Sequence, residues 1–212
     1  MAGARANIAL VMMLLAKSRD EFEGAVSEEI GGFDLNRCID KFKEAMNRDG
    51  EAKAKLWMSI SLLANGRDDE AIKLAREALE IAEESPNEHL KAVCELTLAY
   101  ILMVSKLDEF GGNKSITKLI DELTFSAHER FDKLNFTGVC ISSAIGGIER
   151  YLLGYLDFDE LLKGLDELTS NLEEMEDKSK EWVLKRVKEA IEREGIDEEA
   201  LRTTIIKLLL II

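Results

Sequence analysis

Apolar residues recur along this chain with a period near 3.6 almost throughout, and no segment alternates polar and apolar positions as a half-buried strand does. The pattern predicts an all-α protein. Start and stop signals divide it into ten helices. The first is expected over about 4–30, stopped by Gly31-Gly32, and the second after Asp34, carrying Cys38, Ile39, Phe42, Ala45 and Met46 inward to a stop at Gly50. A third spans about 52–65 and ends at Gly66; a fourth opens at Asp68, whose carboxylate and those of Asp69 and Glu70 suit the positive end of a helix dipole. Ser85-Pro86-Asn87-Glu88 reads as an N-cap serine, a proline at the first helical position and a capping-box glutamate. Further helices follow over about 86–107, 115–133, 136–153 (ended by Gly154), 157–176 (opened by the capping box Asp157 to Glu160) and 179–194. The last is capped by Asp197, with Ile196 and Leu201 as a hydrophobic staple, and runs into IIKLLLII.

These helices pair through short glycine turns. Gly32, Gly66, Gly112 and Gly154 are spaced by 34, 46 and 42 residues, a drifting repeat. CIDKFKEAM (Cys38 to Met46) matches AIKLAREAL (Ala71 to Leu79) at an offset of 33, and LLKGLDEL (Leu161 to Leu168) repeats the spacing. In NGRDDEAIKLAREALEIAEESP, the turn at Gly66, the acidic Asp68 to Glu70, then Ala71, Ala75, Ala78, Leu79 and Pro86 resemble the second-helix half of the tetratricopeptide repeat (TPR). The first-helix half fits less well. There Lys55, Met58, Ser59 and Leu62 stand where that family has tryptophan, leucine, a small residue and tyrosine. The resemblance is good over 52–86, partial over 31–50 and 154–172, and poor over 90–131. It implies a right-handed α-α superhelix in a single domain over 1–212, with helix pairs at 4–50, 52–84, 86–133 and 136–176 and a C-terminal capping segment at 179–212. It also implies a concave groove lined by Lys53, Trp57, Ile60 and Ala64.

Independently of any family, alanines at i, i+4 and i+7 (Ala71, Ala75, Ala78) share a helix face and let a neighbouring helix approach closely. Ser142, Ser143, Ala144, Gly146 and Gly147 repeat that theme. Two glycines inside a helix cost about 1 kcal/mol each against alanine, which close packing, a bend or a ligand pressed against the backbone would have to offset.

The helices over 56–64, 90–104 and 139–148 are apolar nearly all round and must be covered all round. Three occupants of the groove are open: the chain's own terminal helix through Leu201, Ile205, Leu208, Leu209 and Ile212; a second copy using the same stripe in a homodimer; or a partner protein segment with apolar anchors.

Composition narrows the partners. With 28 basic against 42 acidic side chains the formal net charge is −14, and no basic stripe runs along one helix, so nucleic acid is not expected. No apolar run reaches the roughly 18–20 residues that span a bilayer. Arg5 precedes the run IALVMMLLA, but no small-x-small cleavage site follows and the helical pattern continues, so a cytoplasmic chain is expected. Cys38, Cys94 and Cys140 follow no metal spacing and read as reduced, buried small hydrophobes. The absence of glutamine beside abundant Glu and Lys follows a thermophile trend.

Catalytic constellations are missing. Phe125 stands where a Glu-x-x-His metal motif ending at His128 would place its glutamate, His89 reads as a surface residue, and Phe110 to Ser115 reads as a helix cap rather than a phosphate loop. The acidic runs at 173–177 and 198–199 read as solvated faces. No cofactor or metal is expected. The function indicated is a non-catalytic protein-interaction scaffold or adaptor; the alternative is a helical-bundle enzyme or small-ligand-binding protein with its site near Gly146-Gly147.

Overall fold

The computed structural model describes residues 35–107, 109, 112–134, 136–175 and 178–194. Among these, all regular structure is helical: α1 (Leu35–Glu44), α2 (Arg48–Ala64), α3 (Asp68–Glu83), α4 (Glu88–Ser105), α5 (Lys114–Leu134), α6 (Phe136–Leu152), α7 (Phe158–Glu174) and α8 (Lys178–Glu194). The helix expected over 4–30, and the terminal stripe of Leu201, Ile205, Leu208, Leu209 and Ile212, lie outside the described residues. Contacts gather into two compact units, Met1–Cys94 and Glu95–Ile212, so the boundary falls within α4. No helix among the described residues is long and apolar enough to cross a membrane.

In the first unit α1 packs on α2 and α2 on α3. Gly66 ends α2 as expected, at φ +69, with Arg67 N–H bonded to the Leu62 carbonyl and Gly66 N–H to that of Leu63. This pair of bonds is the Schellman arrangement, which needs a left-handed residue at its centre. The preceding helix ends by the same two bonds, Asn47 N–H to Phe42 and Met46 N–H to Lys43, but the left-handed residue is Met46, at φ 52. Gly50 is therefore not a stop. It sits in the first turn of α2, capped by the Asn47 side chain, which accepts from Gly50 N–H at 2.9 Å. A β-carbon there would lie 2.4 Å from the Phe42 ring, so this glycine serves close approach.

The core of this unit joins Ala52 and Leu56 of α2, Ala78, Ile81 and Ala82 of α3, and Leu90 and Cys94 of α4. Ala71, Ala75 and Ala78 are fully buried, as their shared face requires. The α3–α4 turn is tied to the start of α2 by the Asp49 carboxylate, which accepts from Ser85 Oγ at 2.7 Å and Asn87 Nδ2 at 2.9 Å. Those hydrogen bonds, Asn87 first, hold the Asp49 carboxyl below its ordinary value. Here the expected cap is corrected: Asn87, not Ser85, caps α4 by accepting from Leu90 N–H, while Ser85 Oγ accepts from Asn87 N–H one turn earlier.

The second unit holds the rest of α4, buried at every residue from Glu95 to Val104, and α5 to α8, each packed on the next. α5 buries Ile120, Thr124, Ala127 and Phe131, and α7 buries Leu161, Leu165, Thr169 and Leu172, both helical stripes. Asn113 caps α5 through its side-chain oxygen, and Asp157 with Glu160 forms the expected capping box of α7. Gly154, at φ +75, closes α6.

Candidate functional site

The contact between α5 and α6 changes character along its length. Near the turn the helices touch: a β-carbon on Gly138 would lie 2.2 Å from the Phe131 ring. Two turns on, the packing opens. A β-carbon on Gly146 would meet only the Thr124 methyl at 3.9 Å, and one on Gly147 only a Leu161 methyl at 3.5 Å, both ordinary contact distances. Neither tight packing nor a positive φ requires glycine at 146 or 147. Both line a cleft of about 740 Å³.

The cleft takes Asp121, Glu122, Thr124, Phe125 and His128 from α5, and Ser142, Ser143, Glu149 and Arg150 from α6 beside the two glycines. Glycines and serines give a low floor, and Phe125, 64% exposed, forms an apolar rim. Two buried polar oxygens there have no hydrogen bond. Glu149 is 4% exposed and its Oε1 has no hydrogen bond, and the Thr124 hydroxyl, in a residue 9% exposed, has none either. A buried polar atom left unbonded costs on the order of 1–3 kcal/mol. Burial, and next a hydrogen bond to the Asp121 carboxylate and that carboxylate's charge, push the Glu149 carboxyl up to about 8, so it is a neutral acid at neutral pH.

Deeper in, His128 Nδ1 lies 3.0 Å from Ser142 Oγ, which is 3.0 Å from the Val139 carbonyl oxygen. A carbonyl only accepts, so the hydroxyl donates to Val139 and receives the Nδ1–H of His128. That commits the serine proton to the helix backbone. In this arrangement the serine hydroxyl hydrogen points to the backbone and not to the imidazole.

The residues expected to line a groove divide. On α2, Lys53 is exposed and Trp57 is 39% exposed, whereas Ile60 and Ala64 are buried. The same helix buries two charges, Glu51 and Lys55. Lys55 Nζ pairs with Glu77 of α3 and lies 3.9 Å from Glu51, which Arg48 also approaches at 3.2 Å. In α4–α5, Glu95 is held by Arg130 Nε at 3.0 Å and by Ser126 Oγ at 2.8 Å. Cys94 and Cys140 are buried, His89 is exposed, and so are Glu173 and Glu174. Among the described residues no group of three or more His, Cys, Asp or Glu is placed to hold a metal ion.

Of the cleft residues, the sequence pattern singled out Gly146, Gly147, Ser142, Ser143 and His128 but not Asp121, Thr124 or Glu149. The available signal was Glu149 itself, seven residues after Ser142 and so on the face of that small-residue stripe, inside an otherwise apolar helix. Comparison with protein-family models, with curated proteins and with solved structures finds no match.

Proposed function

We propose that this chain is a non-catalytic binding protein that takes a small organic molecule into the α5–α6 cleft. The observation that carries this reading is the pair Gly146-Gly147. Both glycines weaken the helix, neither is required by a neighbour's approach, and both face a cleft of about 740 Å³, within the usual range for ligand sites. The unpartnered Glu149 and Thr124 oxygens supply the few polar groups that orient a ligand in such a site. Screening the full chain with a fragment library by amide NMR tests the reading. Hits should shift Gly146 and Gly147 together with 121–128; hits scattered over the surface, or none, would overturn it.

A second reading, that the helix pairs form a TPR-like superhelical array in a cytoplasmic scaffold or adaptor, draws on the first unit. Its core unites α2, α3 and the start of α4 as consecutive repeat helices would, and α2 keeps Lys53 and Trp57 outward. On this reading an amphipathic partner segment, or a second copy in a homodimer, covers Trp57. Trp57 fluorescence titrated with amphipathic helical peptides, beside light scattering of the full chain and of a variant lacking 200–212, decides it. Fluorescence unmoved by any peptide, with monomer mass in both chains, rules it out.

A further inference from the structure

We infer that the cleft selects an organic ammonium compound with an apolar body, seating its charged head between Asp121 and Glu149 and its body over Gly146, Gly147 and Phe125. This rests on the cleft being a ligand site and adds the ligand's charge and shape. The first ground is the inventory of charge. Asp121 and Glu122 of α5 and Arg150 of α6 face the cleft, with Glu149 and His128 beside them, while α7 contributes the Leu161 methyl against Gly147. Carboxyl groups outnumber the single guanidinium, in a chain of net charge −14, so the field favours a cation.

The second ground is the unpartnered Oε1 of Glu149, 96% buried and lining the cleft. An oxygen in that position needs a donor. An ammonium offers three hydrogens, enough for Glu149, Asp121 and the Thr124 hydroxyl oxygen together. The third ground is shape: a rim aromatic and a floor of glycine backbone accept an apolar body. A bare metal ion fits less well, since no group of three metal-ligating side chains is assembled among the described residues.

Binding is coupled to a proton. In the free chain Glu149 is neutral at neutral pH. When the ammonium enters, the carboxylic acid gives its proton to solvent and the resulting carboxylate pairs with the cation, so charge and protons balance. The affinity then rises with pH, by at most about tenfold per unit, until Glu149 is ionised in the free chain near 8, and levels above it.

Calorimetric titration of the full chain with phenethylamine, in two buffers of different ionisation enthalpy, tests this. The expected result is release of about one proton per amine at neutral pH and binding at least about tenfold tighter than the neutral isostere phenethyl alcohol. Glu149→Gln should abolish the release and the pH dependence. If the alcohol shifts the Gly146 and Gly147 amides and binds as tightly as the amine, the ammonium inference fails while the ligand site stands. If Mg²⁺ or Ca²⁺ displaces the same proton and phenethylamine, butylamine and spermidine do not, the cleft is a metal site and the inference is wrong. Silence of both amides to every probe overturns the inference and the ligand site together.

Discussion

Two buried ionisable side chains, Lys55 in the first unit and Glu149 in the second, are treated oppositely. Lys55 of α2 is 7% exposed and meets Glu77 on the adjacent helix and Glu51 one turn back. Glu149 of α6 is 4% exposed and is held in no ion pair: its carboxyl hydrogen-bonds the like-charged Asp121, Arg150 acts on it only weakly, and its Oε1 has no hydrogen bond. A buried charge whose partners are supplied by the fold is explained by the fold. A buried carboxyl without them costs stability and is retained where something outside the chain completes it. On the proposed reading, the contrast separates polarity that the fold completes from polarity that a ligand completes.

The sharpest way to break the contrast is Glu149→Gln. Between the unfolded carboxyl's ordinary 4.5 and about 8, the folded chain holds a proton that the unfolded chain has lost. Stability therefore falls as pH rises through that window, by at most about 1.4 kcal/mol per unit and of order 5 kcal/mol in all, then levels. Glutamine has no proton to hold, so urea unfolding of the variant should be nearly flat over the same window, and the variant should be the more stable protein near its upper end. A wild-type profile without that slope would mean Glu149 is partnered after all.

Glu77→Ala probes the other side. Removing the partner leaves the Lys55 ammonium buried against Glu51 alone, at a cost on the order of 2–3 kcal/mol, less than for a fully buried pair because the Glu77 side chain is 34% exposed. Lys55→Met, which removes the charge and keeps the length, should come close to neutral. If Glu77→Ala were silent in denaturant unfolding, the Lys55 pair would be ornamental and the contrast with Glu149 would lose its first half.

Helix class and most boundaries were legible because they rest on local chemistry: period, the Asp157 to Glu160 box, and left-handed glycines at Gly66 and Gly154. The errors were local competitions with more than one solution. Ser85 and Asn87 both offer an oxygen for capping, and Asn87 wins because its reach matches Leu90 N–H while Ser85 is drawn to Asp49. Gly50 and Met46 both stand near a helix end; the Phe42 ring claims the space at Gly50, and the left-handed turn falls to methionine. The cleft was half legible. Gly146 and Gly147 were visible as anomalies, but whether a glycine serves packing or a ligand depends on what its missing side chain would meet, and that is set by Thr124 and Leu161 on other helices. Asp121 was unreadable for the same reason, since only the α5–α6 pairing brings it beside Glu149.

The two ends of α6 provide the next, smaller effects. Gly138→Ala should destabilise by about 1–3 kcal/mol, since the Phe131 ring lies where the methyl would go and must leave its packed position. The opposite sign is expected at the cleft. At Gly146 a methyl would meet one methyl group at 3.9 Å, and at Gly147 one at 3.5 Å, so the helix gains alanine's propensity without a clash, about 0.5–1 kcal/mol for each substitution. Thermal melts of Gly146→Ala and Gly147→Ala should therefore move upward while fragment binding weakens, because the added methyls rise from the cleft floor. Stability gained and binding lost in one variant is the signature of glycines kept for a ligand. If the melts moved downward instead, the glycines would belong with Gly138 as packing residues, and Glu149 would be left to argue for the cleft alone.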